Sequence, residues 1–532
     1  MRRLLLLLGC VLGAALFAGP ALALTPQQAR ALATGDVEVR IATLNKLLAG
    51  SGSARPDEKT VALIQAMSDE AVKLADTAVF VMRDGKGYDP VSGAEMPVPD
   101  AADDIINNNE MRSALDAALA SIKLFAADAT VRAEAVKTLA SEPDDARLPL
   151  IERAYEAETV PQIKAALGRV RSALLLGSSD KARRLMAAKA LGDSGTPTTK
   201  TLLLDRQKVE TDAAVRGAIT VALGQIEGRL AWGERFGVIF TGVSLGSILL
   251  LAALGLAITY GLMGVINMAH GELMMIGAYA TYVVQNLFRA WLPGAFDYYV
   301  LLAVPTSFLV AAGVGAVMER SVIRWLYGRP LETLLATWGI SLILQQGVRT
   351  IFGAQNVPVE NPGWLSGGAD VMSNLTLPFN RIAIIVFAVL VLVGVSALIG
   401  RTRLGLFVRG VTQNRRMAAC MGVNTARIDT YAFALGSGIA GLAGCALSQV
   451  GNVGPDLGQG YIVDSFMVVV LGGVGQLAGT VYAAMGLGVL NKLLEGWQGA
   501  VLAKIMVLVF IVVFIQKRPQ GIFAMKGRSA EA

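Results

Sequence analysis

The amino-acid sequence predicts an all-α protein: a polytopic transmembrane helical bundle containing a broken or re-entrant helix pair, preceded by an exported α-helical repeat domain of the HEAT type. Three observations predict it. Of 532 residues, 54% are hydrophobic and only 17% charged, whereas a soluble chain carries about a quarter charged residues. The apolar excess is uneven: the chain is charged and alanine-rich up to about Glu234, then becomes a series of long apolar runs over 236–516. The first residues carry an export pattern. The resulting division is 1–23, a signal peptide; 24–232, the exported repeat domain; 236–516, the membrane domain; and 517–532, a cytoplasmic tail.

The signal peptide is read from its three parts. Met1-Arg2-Arg3 is a short positive start, Leu4 to Phe17 is apolar, and Ala21-Leu22-Ala23 is a small-x-small cleavage site. The alternative is an uncleaved anchor. Cleavage would leave the following domain outside the cytoplasm.

Within 24–232 apolar residues recur at helical spacing in 38–48, 131–139, 160–170, 182–191 and 213–223. Ala190-Leu191-Gly192 and Ala222-Leu223-Gly224 end alike, at a spacing of about 32 residues that suits stacked helix pairs. The stretch from Arg83 to Asp100, rich in Gly, Pro and Asp, reads as a long loop or small hairpin. The domain has no histidine and no mature cysteine, and its carboxylates read as solvated helix faces. No catalytic constellation is present, so the chain is not expected to be an enzyme, and the repeat domain is expected to offer a binding surface.

A span needs about 20 mostly apolar residues. Segments 236–263, 272–288, 300–319, 332–352, 382–400, 429–449 and 501–516 meet that need. Between the last two lies a pair, 464–475 and 478–493, interrupted by Gly472-Gly473-Val474-Gly475-Gln476-Leu477-Ala478-Gly479. Its first member is too short to span, which predicts the broken or re-entrant pair. Export of 24–232 makes the first span run inward. Alternation then places 320–331, 401–428 and the tail inside. These segments hold Arg320, Arg324, Arg329, Arg401, Arg403, Arg409, Arg415, Arg416, Arg427, Lys517, Arg518, Lys526 and Arg528, while 353–380 holds no Lys or Arg, as the positive-inside rule requires. The formal net charge of +6 therefore reflects membrane topology, and no nucleic-acid partner is expected. Gly242-x-x-x-Gly246 and Gly436-x-x-x-Ala440-x-x-x-Gly444 suit close helix packing in lipid.

Polar groups in membrane segments are costly and mark function. Three places carry them. Asn267, His270 and Glu272 end the first span. Thr333, Thr337, Ser341, Gln345 and Arg349 recur every fourth residue on the fourth. Gln476 lies in the glycine-rich break and Thr480 directly follows it. Glycine-interrupted segments point to solute sites in transporters, so Asn267, His270, Glu272, Thr337, Ser341, Gln345, Gln476 and Thr480 are the expected pathway residues. The competing readings are interhelical hydrogen bonding for the stripe and an interfacial cap for His270 and Glu272. One histidine and three cysteines leave no zinc set, and Cys420 and Cys445 are not expected to pair. No phosphate-binding loop is present; Gly473-x-Gly475-x-x-Ala478 lacks the strand a dinucleotide fingerprint requires. No cofactor is expected on this chain, and ATP-driven transport would need an ATPase on another. Arg415, Arg416, Met417, Ala418, Ala419 and Gly422, a short basic segment of small residues, form the expected docking element, the alternative being a topogenic loop.

Residues 242–247, with Ile258 to Glu272 after them, resemble the opening signature of the branched-chain amino-acid ABC permease family. Gln413 to Ala419 resembles its ATPase-facing loop, and Leu471 to Gly475 with Ala478-Gly479-Thr480 its late glycine motif. The loop departs from the general importer pattern: Met417 stands where a Glu is usual, and two residues separate Ala419 from Gly422. An exported domain ahead of such a permease resembles the urea-transport branch. The resemblance implies import of urea or a related short amide, with branched-chain amino acids as the alternative. It also implies a second permease subunit, two cytoplasmic ATPase subunits that use ATP, a periplasmic solute-binding protein and residence in the bacterial inner membrane. The competing classes are a membrane receptor with an exported ligand-binding domain and a passive channel.

Overall fold

Apolar residues at helical spacing form helices along most of the chain in the computed structural model, which describes residues 24–50, 57–75, 78–83, 85–99, 102–141 and 144–523. The expected signal peptide and most of the tail lie outside the described residues. The chain divides into two compact units after Leu230.

The first unit opens with α1 (Pro26–Ala33), α2 (Val37–Gly50) and α3 (Glu58–Ser68). Thr25 caps α1 with a reciprocal Thr25–Gln28 capping box and Pro26 at its first position. Next comes a five-stranded antiparallel sheet where the sequence predicted a loop or hairpin. Its strands are β1 (Val72–Ala75), β2 (Ala78–Arg83), β3 (Lys86–Tyr88), β4 (Glu95–Met96) and β5 (Asp103–Asp104), in the order β4-β3-β2-β1-β5. The strands are too short to show a period. What holds them is one buried cluster, in which Val72, Val79 and Val81 pack with Leu44, Leu63, Ile64 and Leu115.

Seven helices follow: α4 (Asn109–Lys123), α5 (Ala129–Ser141), α6 (Leu148–Ala157), α7 (Pro161–Leu175), α8 (Lys181–Gly192), α9 (Pro197–Val209) and α10 (Ala213–Met263). They contain a tandem repeat, with a different period from the one expected. Arg132 on α5 pairs with Glu158 after α6, and Arg184 on α8 pairs with Glu210 after α9. Each pair is separated by 26 residues, and the second follows the first by about 52, the mark of a duplicated supersecondary unit. The surroundings repeat too. Arg132 Nη1 donates to the carbonyls of Ala126 and Ala127, and Arg184 Nη1 to those of Ser178 and Ser179. Lys164 caps the Glu158 carbonyl as Arg216 caps that of Glu210. The unit is thus three helices, α5–α7 and α8 to the start of α10. The shorter spacing matched unlike positions: Gly192 ends α8, whereas Gly224 lies inside α10.

The second unit contains the rest of α10, α11 (His270–Trp291), α12 (Tyr299–Ser321), α13 (Pro330–Phe352), α14 (Phe379–Arg401), α15 (Arg403–Gln413), α16 (Arg415–Cys420), α17 (Thr425–Ser448), α18 (Leu457–Gly472), α19 (Leu477–Gln498) and α20 (Ala500–Lys517). A two-stranded hairpin, β6 (Gly368–Met372) and β7 (Leu375–Pro378), precedes α14. Among the described residues six helices are long and apolar enough to cross a membrane. α11 and α13, of 22 and 23 residues, match them in length but carry the polar groups described below. Both members of the interrupted pair are longer than the sequence suggested. α18 has 16 residues, about 24 Å of helix against a hydrocarbon core of about 30 Å. α19 has 22 residues and is among the six. The break between them runs through Gly473 at φ +99, where a side chain would meet the Phe523 and Gln520 carbonyls.

Small residues decide the helix crossings. A Cβ on Gly436 would overlap the Gly255 carbonyl, one on Gly444 the Met274 carbonyl, and one on Gly242 the Val489 backbone. The two small-residue stripes read from sequence therefore lie at close crossings. Dispersion and backbone proximity do there what the hydrophobic effect cannot do in lipid.

Candidate functional site

The polar stripe of α13 lies against two places where the chain leaves helical conformation. The first follows α10. Gly264, at φ +65, turns the backbone, residues 264–269 are non-helical, and α11 starts at His270. The His270 Nε2 lies 2.9 Å from the carbonyl oxygen of Ala252. Residue 252 is midway along the apolar part of α10. The N-terminus of α11 therefore begins deep beside that helix, not at the end of the span, where the cap reading would place it. The second irregular segment, 449–456, follows α17. It pairs Val453 with Val357 and leads into α18.

The starts of α11 and α18 meet. A Cβ on Gly271 would overlap the Gly458 carbonyl, and one on Gly458 would overlap Gly271 and Glu272. Each of the two glycines is the second residue of its helix, so two helix N-termini, with their unpaired N–H groups, stand side by side.

The stripe supplies the opposing wall. The Met268 N–H donates to Thr337 Oγ at 3.2 Å. Ser341 Oγ donates to Glu272 Oε1 at 2.5 Å. Gln345 Nε2 and Arg349 Nη2 both donate to Asp456 Oδ1, the arginine at 2.6 Å. Gln459 Nε2 reaches Gln345 Oε1 at 3.4 Å. Thr337, Ser341, Gln345, Asn267, His270 and Glu272 are all buried. Several polar atoms here have no partner among the described residues: Asn267 Nδ2, His270 Nδ1, Tyr279 Oη and Arg349 Nε. Buried polar atoms are normally paired, so these remain open to a solute or to water.

Six of the eight residues singled out from sequence thus come together: Asn267, His270, Glu272, Thr337, Ser341 and Gln345. Gln476 and Thr480 do not. They stand at the other end of α18, where Thr480 Oγ donates to the Gln476 carbonyl and Gly472 packs on the Gly479 backbone. Sequence reasoning missed Asp456, Gln459 and Tyr279. A signal for the first two existed: Gly451-Asn452-Val453-Gly454-Pro455-Asp456 is a Gly/Pro-rich interruption before a short apolar run, a glycine-interrupted pattern like the one read at 472–479.

The expected docking element is a separate helix, α16. Asn414 caps it by accepting from Met417 N at 3.0 Å, and Gly422 at φ +84 turns the chain out of it. Arg416, Met417 and Ala419 are exposed. Ala418 instead turns toward Val408, Val411, Ile428 and Ala432. Arg415 grips Asp429 through both terminal guanidinium nitrogens, Nη1 to Oδ1 and Nη2 to Oδ2. Cys420 is exposed and Cys445 buried, and both are free thiols.

The comparison with known proteins covers this same half of the chain. The family model described as branched-chain amino acid transport system / permease component matches residues 238–515. The high-affinity branched-chain amino acid transport system permease protein BraD of Pseudomonas aeruginosa is 29% identical over 285 residues, covering 53% of this chain and 93% of its own. The corresponding LivH protein of Escherichia coli K12 is 28% identical over 300 residues, with the same coverage. The autoinducer 2 import system permease protein LsrC of Yersinia enterocolitica is 27% identical over 183 residues, 34% of this chain and 48% of its own. No solved structure matches.

Proposed function

Because the chain belongs to the family of branched-chain amino acid transport system permease components, a multi-pass membrane permease and not an enzyme, we propose that it imports urea or a related short amide as one permease subunit of an ABC transporter. The observation that carries this reading is the meeting of the α11 and α18 N-termini opposite Ser341 and Gln345. A neutral polar solute that sheds its water needs replacement hydrogen bonds. The Glu272 and Asp456 carboxylates accept amide N–H groups, and the helix-start N–H groups donate to a carbonyl. The pathway residues are Asn267, His270, Glu272, Thr337, Ser341 and Gln345, with Gln476 and Thr480 nearer the exit. The exported unit lies in the periplasm and the tail in the cytoplasm. The chain works with a second permease subunit, two ATPase subunits docking on Arg415 to Gly422, and a periplasmic solute-binding protein.

A second reading has its own support. BraD and LivH are named for branched-chain amino acids, and the same wall suits a zwitterion, with an ammonium against Glu272 or Asp456 and a carboxylate at the helix starts. Uptake of labelled urea and labelled leucine by a deletion strain, with and without the chain restored, separates the two. Restored urea uptake alone is expected; restored leucine uptake alone would put the second reading in its place. Restoration of neither would remove both. Docking is tested by Ala419→Trp, which adds bulk on the exposed side of α16 and should leave the protein inserted but stop ATP-dependent uptake.

A further inference from the structure

Behind the docking helix lies a cluster of charged and polar side chains that the solute pathway does not use. Arg415 stands at the first position of α16 and holds Asp429, which is buried in the first turns of α17. The same guanidinium lies over the Tyr327 ring, 5.1 Å from its centroid. Tyr327 sits in the turn between α12 and α13. Its hydroxyl donates to Glu319 Oε1 at 3.0 Å and lies 3.3 Å from the sulfur of Met263, the last residue of α10. Glu319 is fully buried near the end of α12. Its other oxygen accepts from Thr430 Oγ at 2.6 Å and faces Arg324 Nη2 at 3.4 Å. Arg324 also reaches Thr430 Oγ at 3.2 Å.

Four helices and the docking element therefore converge on one polar knot: α10 through Met263, α12 through Glu319, α13 through the turn carrying Tyr327, and α17 through Asp429 and Thr430. From the knot to the solute wall is one short step. Thr333 Oγ at the start of α13 donates to the Leu326 carbonyl at 3.1 Å, and the next member of the stripe, Thr337, holds the non-helical segment that follows Met263.

We infer that the Arg415–Asp429–Tyr327–Glu319 cluster is the transmission between the ATPase-facing helix and the solute site, a set of positioning residues that convert displacement of α16 into movement of 264–269 and α13. This rests on the docking reading given above. The physical reason is that buried charge-assisted hydrogen bonds hold discrete arrangements and do not deform smoothly. If α16 moves, Arg415 must either carry Asp429 and Tyr327 with it or leave a buried carboxylate unpaired, which is costly. A purely structural cluster would hold the inner helix ends together and make no difference to how transport follows hydrolysis.

The test uses the complete transporter, with its partner subunits, in proteoliposomes, and measures ATP hydrolysis and solute uptake in the same sample. Asp429→Asn keeps the shape and weakens the grip of Arg415. Tyr327→Phe removes only the hydroxyl. Both should co-purify with the ATPase and hydrolyse ATP at close to the wild-type rate, while uptake per ATP falls about tenfold for Asp429→Asn and less for Tyr327→Phe. Unchanged uptake per ATP in both variants would overturn the inference. So would hydrolysis, assembly and uptake falling in parallel, the mark of a structural role. Should Asp429→Asn fail to assemble, Tyr327→Phe decides alone. A wild-type complex that binds no ATPase would instead remove the docking reading, and the inference with it.

Discussion

The buried carboxylates of the repeats in the first unit and the one at the start of α11 in the second are treated in opposite ways. In the first unit Glu158 accepts Arg132 Nε at 2.8 Å and Nη2 at 3.1 Å, plus the backbone N–H groups of Thr159 and Val160. Glu210 accepts from Arg184, Arg206 and the Asp212 N–H. In the second unit Glu272, equally buried, meets one donor among the described residues, Ser341. Asn267, His270 and Tyr279 around it keep atoms unpaired among the described residues. A saturated carboxylate has nothing left to bind and holds protein elements together, as Glu158 and Glu210 do in the repeats and Glu319 does in the polar knot. An undersaturated one at a helix start keeps acceptor capacity that the proposed solute pathway would use. That contrast separates polar groups that hold protein elements from those with capacity left for a solute better than burial does, since burial is the same in both.

The largest effect should come from breaking a saturated pair. Glu158→Ala strands the Arg132 guanidinium and should cost about 3 kcal/mol of stability, read as early hydrogen exchange over 129–175 in the full chain. Transport by the protein that still folds should be normal. Uptake that falls as steeply as stability would break the contrast.

Next come the undersaturated groups. Glu272→Gln, which keeps an acceptor for Ser341, and Gln345→Leu should each lower uptake about tenfold and move stability by less than about 1 kcal/mol. If Gln345→Leu and Ser341→Ala leave both affinity and rate unchanged, the stripe is packing glue.

A pH titration sharpens the same comparison. The Arg132 hydrogen bond, with help from the backbone N–H groups, holds the Glu158 carboxyl at about 2 against an ordinary value of 4.5. The folded value is the lower one, so the unfolded chain takes up the proton first. The pair's contribution is complete above the ordinary carboxylate range and is lost as pH falls from about 4.5 toward 2. Denaturant unfolding of wild type and Glu158→Gln should converge across that window. Parallel curves would mean that Glu158 is not what titrates.

The smallest effect belongs to Tyr279→Phe. The hydroxyl has no partner among the described residues, so its loss should leave stability unchanged or raised by less than about 1 kcal/mol, with uptake reduced about threefold if the solute uses it. A clear loss of stability would reveal a structural partner and move Tyr279 to the saturated class.

Much of this was legible beforehand. Asn267, Glu272 and the α13 stripe stood out because polar groups in apolar runs are rare and costly. Gly473 and Gly475 announced the break between α18 and α19 by composition alone. The five-stranded sheet was not legible, since strands such as Glu95–Met96 and Asp103–Asp104 have two residues each and no period to read. Nor was the true repeat. Arg132 and Arg184 are ordinary charged residues in sequence, and only the burial of Glu158 and Glu210 marks them. Asp456 was not singled out because it follows Pro455, outside every apolar run.

By itself the sequence determined that the second half is a series of apolar helices, where the basic loops fall and that the chain breaks at Gly473, because composition and helical period are local properties. Only the tertiary structure decided which polar residues meet. Ser341 finds Glu272 at a separation of 69 residues, and Gln345 finds Asp456 at 111. Those meetings depend on how far 264–269 and 449–456 turn back before a helix begins, and on glycine crossings that set helix depth. No window of sequence contains both partners, so the physics that joins them is packing, which acts only once the helices are side by side.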